Sequence, residues 1–321
     1  MRRVGLAVVL AVSLTLAPLA ADAQTTGKVY RIGILHPADG PGLRLQSELG
    51  KLGYVEGRNL VFERRHAAGQ TERLPALAAE LVRAKVDVIV ATAGDAIVAA
   101  KNATSTIPIV MAYGPAPVER GYVQSLARPG GNVTGVAYAA EGVLLPKRLE
   151  LLKQAVPAAR RIGMLDDATP SFQRSLKEAE VVARGLDVQL VAVDARRGRY
   201  EQAFAELKAK QADALYAGGS AIHNQDRQQL LALASRYRLP GIWEWRHHAE
   251  AGGLLSYGAT FVELDARVAT YVDRLLRGAN AADLPVEQPT KFEFVINLKT
   301  AKALGLTIPQ SVLLRADQVI Q

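Results

Sequence analysis

The chain has 321 residues, more than one hydrophobic core usually serves, so two domains of about 150 residues each are expected. Apolar residues make up 49% and charged residues 22% of it, which excludes a disordered or fibrous protein. The net charge is +8, and the basic residues are spread along the chain, with arginine pairs that lie far apart. The clustered basic stripe of a nucleic-acid-binding surface is missing from the sequence. The absence of cysteine excludes disulfides, thiolate nucleophiles and lipid attachment after a signal peptide.

The first 23 residues have the organisation of a secretory signal peptide. Arg2 and Arg3 form a basic start, residues 4–19 are mostly apolar, and Ala21-Asp22-Ala23 supplies the small residues of a cleavage site. An anchoring helix is the alternative, but it normally needs about 20 unbroken apolar residues, and polar residues and a proline interrupt this run. We therefore expect cleavage after Ala23 and a periplasmic location.

Two halves of the remaining chain follow one plan. Arg31-Ile32-Gly33-Ile34-Leu35 returns as Arg161-Ile162-Gly163-Met164-Leu165, 130 residues later. Three further matches follow in the same order at a similar offset: 87–91 with 213–217, 107–110 with 239–242, and 130–133 with 252–254. Together these matches indicate duplicated structure.

Helical patterns lie between these short apolar segments. In 71–84, apolar residues fall at i, i+3, i+4, i+7 and i+8, and 171–184 has a similar pattern. Further helices are predicted over 43–52, 95–103, 199–210, 225–237 and 263–277. Short strands alternating with helices are typical of βαβ units. The predicted fold class is α/β, with two similar doubly wound parallel-sheet lobes joined by a hinge and a ligand cleft between them.

The lobe boundaries follow from the repeat. Residues 28–138 plus about 260–290 are assigned to the N-terminal lobe, and 139–259 plus about 291–321 to the C-terminal lobe. The predicted helix over 263–277 has no counterpart in the repeat. We therefore expect it to cross back to the first lobe.

Ligands of parallel α/β sheets bind beyond the carboxyl ends of the strands, beside helix N-termini. This rule selects loops in both halves, where each glycine either admits a ligand to the backbone or simply forms a tight turn. The candidate ligand-binding residues are His36, Thr92, Gly94, Asp95, Tyr113 and Gly114 in the first half, and Asp166, Gly219, Ser220, Trp243, Glu244, Trp245 and Tyr257 in the second.

The two tryptophans of the chain alternate around Glu244. In extended backbone Trp243 and Trp245 would share one face, opposite that glutamate. We interpret them as an aromatic wall of the cleft; the alternative is that they pack in the core.

Motifs for catalysis are missing from the sequence. No G-x-G-x-x-G follows residue 35 or 165, and no G-x-x-x-x-G-K-[ST] or H-E-x-x-H occurs. The segment 218–222 lacks the second glycine of a nucleophile elbow. We therefore expect no enzymatic activity, no cofactor and no metal.

Several longer segments point to one family: 53–59, 72–82, 87–90, 128–135 and 292–302. With them the sequence resembles the ABC transporter substrate-binding proteins of the tryptophan/aromatic-amino-acid-binding type, over essentially all of the mature chain. The resemblance implies a periplasmic binding protein of type I fold, a monomer that closes on a small-molecule solute and docks on an inner-membrane permease, with no nucleic-acid partner. A periplasmic sensor of the same fold, feeding a signalling partner, remains the alternative.

The sequence departs from this family after the predicted fourth strand. Many relatives carry an Asp before a Pro there, whereas this chain has Tyr113-Gly114-Pro115. A side-chain partner for a ligand ammonium is therefore missing from this loop. The loop 218–226 also differs from the Thr-Asp-rich version of the aromatic-amino-acid binders. The identity of the solute stays open at this point.

Overall fold

A computed structural model describes residues 28–38, 44–138, 144–167, 170–218 and 220–321. The predicted signal peptide and Gly219 lie outside these ranges. Within them, no helix has the length and apolar character needed to cross a membrane.

The first lobe is built on a five-stranded sheet. Its elements are β1 (Tyr30–His36), α1 (Leu45–Lys51), β2 (Leu60–His66), α2 (Leu74–Arg83), β3 (Val88–Thr92), α3 (Ala93–Ala103), β4 (Ile109–Gly114) and β5 (Val133–Ala137). The strand order is β2-β1-β3-β4-β5, and all the pairings are parallel. Apolar clusters cover both faces of the sheet, as a parallel sheet requires.

The second lobe repeats this order. Its elements are α4 (Leu144–Ala155), β6 (Arg161–Asp166), α5 (Pro170–Gly185), β7 (Gln189–Asp194), α6 (Tyr200–Ala209), β8 (Ala214–Tyr216), α7 (Ala221–Gln225), α8 (Arg227–Arg236), β9 (Gly241–Trp243), α9 (Arg246–Glu250) and β10 (Leu255–Gly258). The strands lie in the order β7-β6-β8-β9-β10, the counterpart of the first sheet. The predicted α/β class with two similar lobes is therefore confirmed.

One detail of the duplication is visible at the start of each sheet. Asp87, just before β3, accepts the backbone N–H of Arg31 in β1 at 2.7 Å. Asp213, just before β8, accepts the N–H groups of Arg160 and Arg161 at 2.9 and 3.1 Å. The same residue type thus ties the third strand to the first in both lobes.

The chain crosses between the lobes again after β10. Helix α10 (Phe261–Leu276) packs on the first sheet, where Leu264, Val268 and Val272 join the core around Val90 and Val110. The chain then returns to the second sheet as β11 (Glu293–Asn297), α11 (Leu298–Leu304), α12 (Gln310–Leu313) and β12 (Gln318–Ile320).

The last two strands add one antiparallel pairing to the second of the predicted parallel sheets. β11 pairs antiparallel with β10, and β12 pairs parallel with β11. The reason is the direction of entry, because the chain reaches β11 from the first lobe, at the end of the second sheet where β10 leaves it. β11 must therefore run opposite to β10.

Candidate ligand-binding cleft

The carboxyl ends of the two sheets face each other. Tyr113 in β4 and Trp245 after β9 bring their ring centroids to 6.4 Å, although they belong to different lobes. Farther out, the Arg197 Nη1 beyond β7 lies 3.5 Å from the carbonyl oxygen of Ala68 beyond β2. The space between these strand ends is therefore the cleft at which parallel α/β sheets bind ligands.

Tyr113 is held in a strained conformation at this cleft. Its φ is 63°, in the left-handed region that residues other than glycine seldom occupy. Its hydroxyl donates to the carboxylate of Asp265 in α10, which also accepts the backbone N–H of Arg44 at 3.1 Å. Burial raises the pKa of the Tyr113 hydroxyl well above its ordinary value, so the group stays a neutral donor. Helix α10 thereby fixes a cleft residue of β4.

Trp245 contacts aromatic residues of the other lobe. Besides Tyr113, it meets Tyr138, which directly follows β5, with the ring centroids 4.8 Å apart and the planes at 60°. Edge-to-face packing of this kind stabilises a pair beyond the area it buries. Trp245, Tyr113 and Tyr138 are called the aromatic cluster below.

The expectation that Trp243 shares this wall with Trp245 is wrong. Trp243 is only 2% exposed, belongs to the core of the second lobe, and stacks on His248 at a centroid distance of 5.3 Å. Strand β9 ends at Trp243, and the chain bends at Glu244 and Trp245. The alternation of side chains holds only in regular extended backbone, so the bend separates the two indoles.

Glu244 forms a buried ion pair with Arg148 of α4. The two side chains are 7% and 3% exposed, and the Arg148 Nη1 lies 3.3 Å from the Glu244 Oε1. Arg148 also donates from Nε to the Tyr257 carbonyl oxygen at 2.7 Å and from Nη2 to the Tyr138 hydroxyl. One guanidinium therefore connects β10, the β9 end and the aromatic cluster.

Tyr257, the predicted site residue in β10, packs its ring against two phenylalanines. Its ring centroid lies 6.0 Å from that of Phe292 and 6.4 Å from that of Phe294. The neighbouring Gly258 lets the backbone of Glu244 and the Arg148 guanidinium approach β10, since a Cβ there would lie 2.1 Å from the Glu244 carbonyl oxygen and 3.3 Å from the Arg148 Nη2.

The predicted residues at the ends of β1 and β3 lie beside each other in the sheet. His36 contacts Ala38 through Nδ1, at 2.9 Å from its carbonyl oxygen, and its ring centroid is 5.9 Å from that of His66. The buried Thr92 donates to the Leu35 carbonyl oxygen at 3.3 Å. These contacts order the strand ends on the first-lobe side of the cleft.

Gly94 and Asp95 lie in the first turn of α3 and not in a loop. The helix begins at Ala93, two residues before the predicted start, and the φ of Ala93 is 62°. Gly114 is the last residue of β4, and its carbonyl oxygen accepts the N–H of Tyr138 at 3.1 Å.

On the second-lobe side, Asp166 ends β6 and accepts a hydrogen bond from the Gln173 Nε2 at 3.3 Å. Ser220 is the N-cap of α7 and accepts the His223 N–H at 3.2 Å. The ligand contacts of Asp166 and Ser220 stay predictions.

Several cleft residues were not predicted from the sequence: Tyr138, Arg148, Arg197 and Asp265. Arg197 binds Asp226 with two nitrogens, at 2.8 and 3.0 Å, and so stiffens the rim. Arg148 lies in a helix 96 residues from its partner Glu244. Nothing local in the sequence marks such a pair. Tyr138 could have been found, since it directly follows the end of β5, where the rule of strand ends applies.

The part of the chain that the structure describes contains no group of three or more His, Cys, Asp or Glu side chains that could hold a metal ion.

The model of the ABC transporter substrate-binding protein family matches residues 32–320. The chain belongs to this family. The family binds solutes and does not transform them, in agreement with the expectation of a non-enzymatic protein. A curated relative of this substrate-binding protein is the tyrosine-binding protein of Clostridioides difficile, 27% identical over 264 residues, which are 79% of this chain and 73% of the relative.

Solved structures give the same picture for this substrate-binding protein. A conserved domain protein of Vibrio cholerae is 27% identical with a TM-score of 0.82, over 91% of this chain and 100% of its own. An ABC domain of Streptococcus pneumoniae in complex with L-Trp is 26% identical with a TM-score of 0.80, over 91% and 99% of the two chains.

Proposed function

We propose that this chain is the exported solute-binding component of an ABC importer. It captures a small molecule, an amino acid or another small organic solute, between its lobes and delivers it to an inner-membrane permease. The observation that supports this most directly is the aromatic cluster, because Trp245 of one lobe meets Tyr113 and Tyr138 of the other at the strand ends. A ligand lying against it touches both lobes and so favours their closure.

The relatives favour an aromatic amino acid as the solute. One is named for binding tyrosine, and another is solved with L-Trp. In this chain the aromatic cluster, whose Trp245 is 7% exposed while it contacts both tyrosines, supplies rings against which a planar side chain packs when the lobes take up a ligand. The first turn of α3 offers backbone N–H groups to a carboxylate.

The ammonium of such a ligand needs a carboxylate from elsewhere than the Tyr113-Gly114-Pro115 loop. Glu244 is committed to Arg148 in a buried ion pair. The other carboxylates among the predicted residues are Asp95 in the first turn of α3 and Asp166 at the end of β6. We propose that one of these two pairs with the ligand ammonium.

Thermal unfolding tests this function. Mature protein freed of endogenous ligand by unfolding and refolding is screened with amino acids. A true ligand at 100 times its Kd adds about 2.7 kcal/mol of stability. For domains of this size that raises the Tm by roughly 5–10 °C. We expect aromatic amino acids to give such shifts and to change the tryptophan emission.

Two variants locate the site. Trp245→Ala is expected to weaken binding of these ligands by more than about tenfold, the loss of roughly 1.4 kcal/mol. Trp243→Phe keeps the core ring and should bind as the wild type does. Ligands that bind Trp245→Ala with unchanged affinity would place the site elsewhere. Permease and ATPase genes beside this one would favour transport over sensing.

A further inference from the structure

The second lobe contains a cavity of about 520 Å³ that is separate from the cleft. It lies between α8 and α11, against the chain segments that lead into β9 and β10. These are the amino ends of the strands, whereas the cleft lies at their carboxyl ends. Ligand sites in proteins typically have volumes of about 300–1,000 Å³, mostly apolar walls and a few placed polar groups.

Trp243 presents its indole N–H at this cavity. One face of the indole stacks on His248. The pyrrole edge lies over two cavity glycines: a Cβ at Gly253 would be 2.9 Å from the Nε1 atom, and a Cβ at Gly241 would be 3.1 Å from it. Both glycines and Trp243 line the cavity.

This N–H donates to no group in the described ranges of the chain and keeps accessible surface at the cavity, although Trp243 as a whole is only 2% exposed. Because the indole nitrogen is only a donor, a ligand group that pairs with it in the cavity must be an acceptor.

The charged side chains that line the cavity are all basic. Lys299 at the start of α11 and Arg238 after α8 both line it, and none of the described lining residues is acidic. Arg238 reaches the far end of α11, where its Nη2 donates to the Leu304 carbonyl oxygen at 3.1 Å. Lys299 is exposed and makes no ion pair with any residue that the structure describes. The apolar part of the cavity wall includes Leu231, Leu239 and Leu254.

We propose that this cavity is a second binding site, for a small amphipathic carboxylate. Its carboxylate accepts from the Trp243 Nε1 and pairs with Lys299, while its apolar body lies against the leucines. This site goes beyond the proposed transport function and does not depend on it. Trp243 lines the cavity and Trp245 lies at the cleft, so ligands of the two sites change the signals of different indoles.

Nuclear magnetic resonance of the ¹⁵N-labelled mature protein tests the proposal with hexanoate as the probe. The two indole N–H signals are assigned with Trp243→Phe and Trp245→Phe. Hexanoate in the millimolar range should move the Trp243 signal downfield, as expected for a new acceptor, and saturate. Hexanamide, its neutral counterpart, should bind at least fivefold more weakly.

A matched pair of variants shows whether the cavity is responsible. Lys299→Met should weaken hexanoate binding at least fivefold. Lys302→Met removes the same charge from the same helix outside the cavity and should have no effect. The proposal is overturned if the Trp243 signal does not move, or if only the Trp245 signal moves. It is also overturned if Lys299→Met and Lys302→Met have equal effects.

Discussion

Arg148 and Glu244 are buried charges that depend on each other. Taking two ions out of water is costly, and their pairing with added hydrogen bonds offsets that cost. Here Arg148 donates to Glu244, to the Tyr257 carbonyl oxygen and to the Tyr138 hydroxyl. Removing one partner leaves the other charge buried without compensation.

We therefore expect Arg148→Met to lower the free energy of unfolding by about 3–5 kcal/mol. Adding Glu244→Gln to that variant removes the orphaned charge and should restore much of the loss. Urea unfolding of the wild type and of these two variants measures the loss and its recovery. The exposed pair Lys210–Glu206 provides the control, since Lys210→Met should cost at most about 0.5 kcal/mol. Equal effects of Arg148→Met and Lys210→Met would contradict this account.

At the scale of residues, the sequence predicted where the cleft lies better than what each side chain does in it. The rule of strand ends selected Tyr113 and Trp245, which meet across the lobes. It also selected Trp243, which packs in the core because β9 ends there and the chain bends. The Arg148–Glu244 pair could not be predicted from the sequence, since only tertiary packing brings the two residues together.

Among the elements, the short helix α9 packs against Trp243 and the backbone of Trp245. Its His248 contacts the Trp245 carbonyl oxygen through Nδ1, at 3.2 Å, and stacks on both Trp243 and His247. Burial lowers the pKa of His247 to about 4 and that of His248 to about 3. Both imidazoles are thus neutral in the fold at neutral pH.

We therefore expect this helix to make the protein sensitive to acid. In the unfolded chain a histidine has a pKa near 6.5. The unfolded state therefore binds protons that the fold does not bind as the pH falls below about 6.5, and the free energy of unfolding decreases. Above about pH 7 both states are neutral and this contribution is constant.

The free energy of unfolding, measured with urea between pH 7.5 and about pH 4.5, should fall with decreasing pH, by up to about 1.4 kcal/mol per pH unit for His248. The variant His247→Gln/His248→Gln keeps every carboxylate and should lose this part of the slope. An unchanged slope in that variant would show that other groups cause the acid sensitivity.

The helices were predicted to within a few residues where the apolar period is clear. The predicted 199–210 and 171–184 appear as α6 (Tyr200–Ala209) and α5 (Pro170–Gly185). By contrast, the predicted helix 225–237 is preceded by a separate short helix, α7, with its own Ser220 cap. The reversal of β11 could not be predicted from periodicity, because the period of a strand is the same in both directions.

For the molecule as a whole, the proposed export makes a simple prediction. The mature protein should begin at Gln24 and be recovered from the periplasm without lipid. N-terminal sequencing of the exported form checks this. Replacing Arg2 and Arg3 by Glu should retain the full-length precursor inside the cell. A membrane-bound form starting at Met1 would contradict the cleavage site.

The two crossings of the chain after β10 determine when each lobe is completed during synthesis. Helix α10 covers the face of the first sheet that carries Val90 and Val110, and β11 extends the second sheet beside β10. Both additions come from the segment after residue 260. During synthesis, the first sheet is made long before the helix that covers it. A nascent chain that has reached only β10 contains the strands β1 to β10 and neither finished core, so the two lobes are completed one after the other as the segment after residue 260 is made.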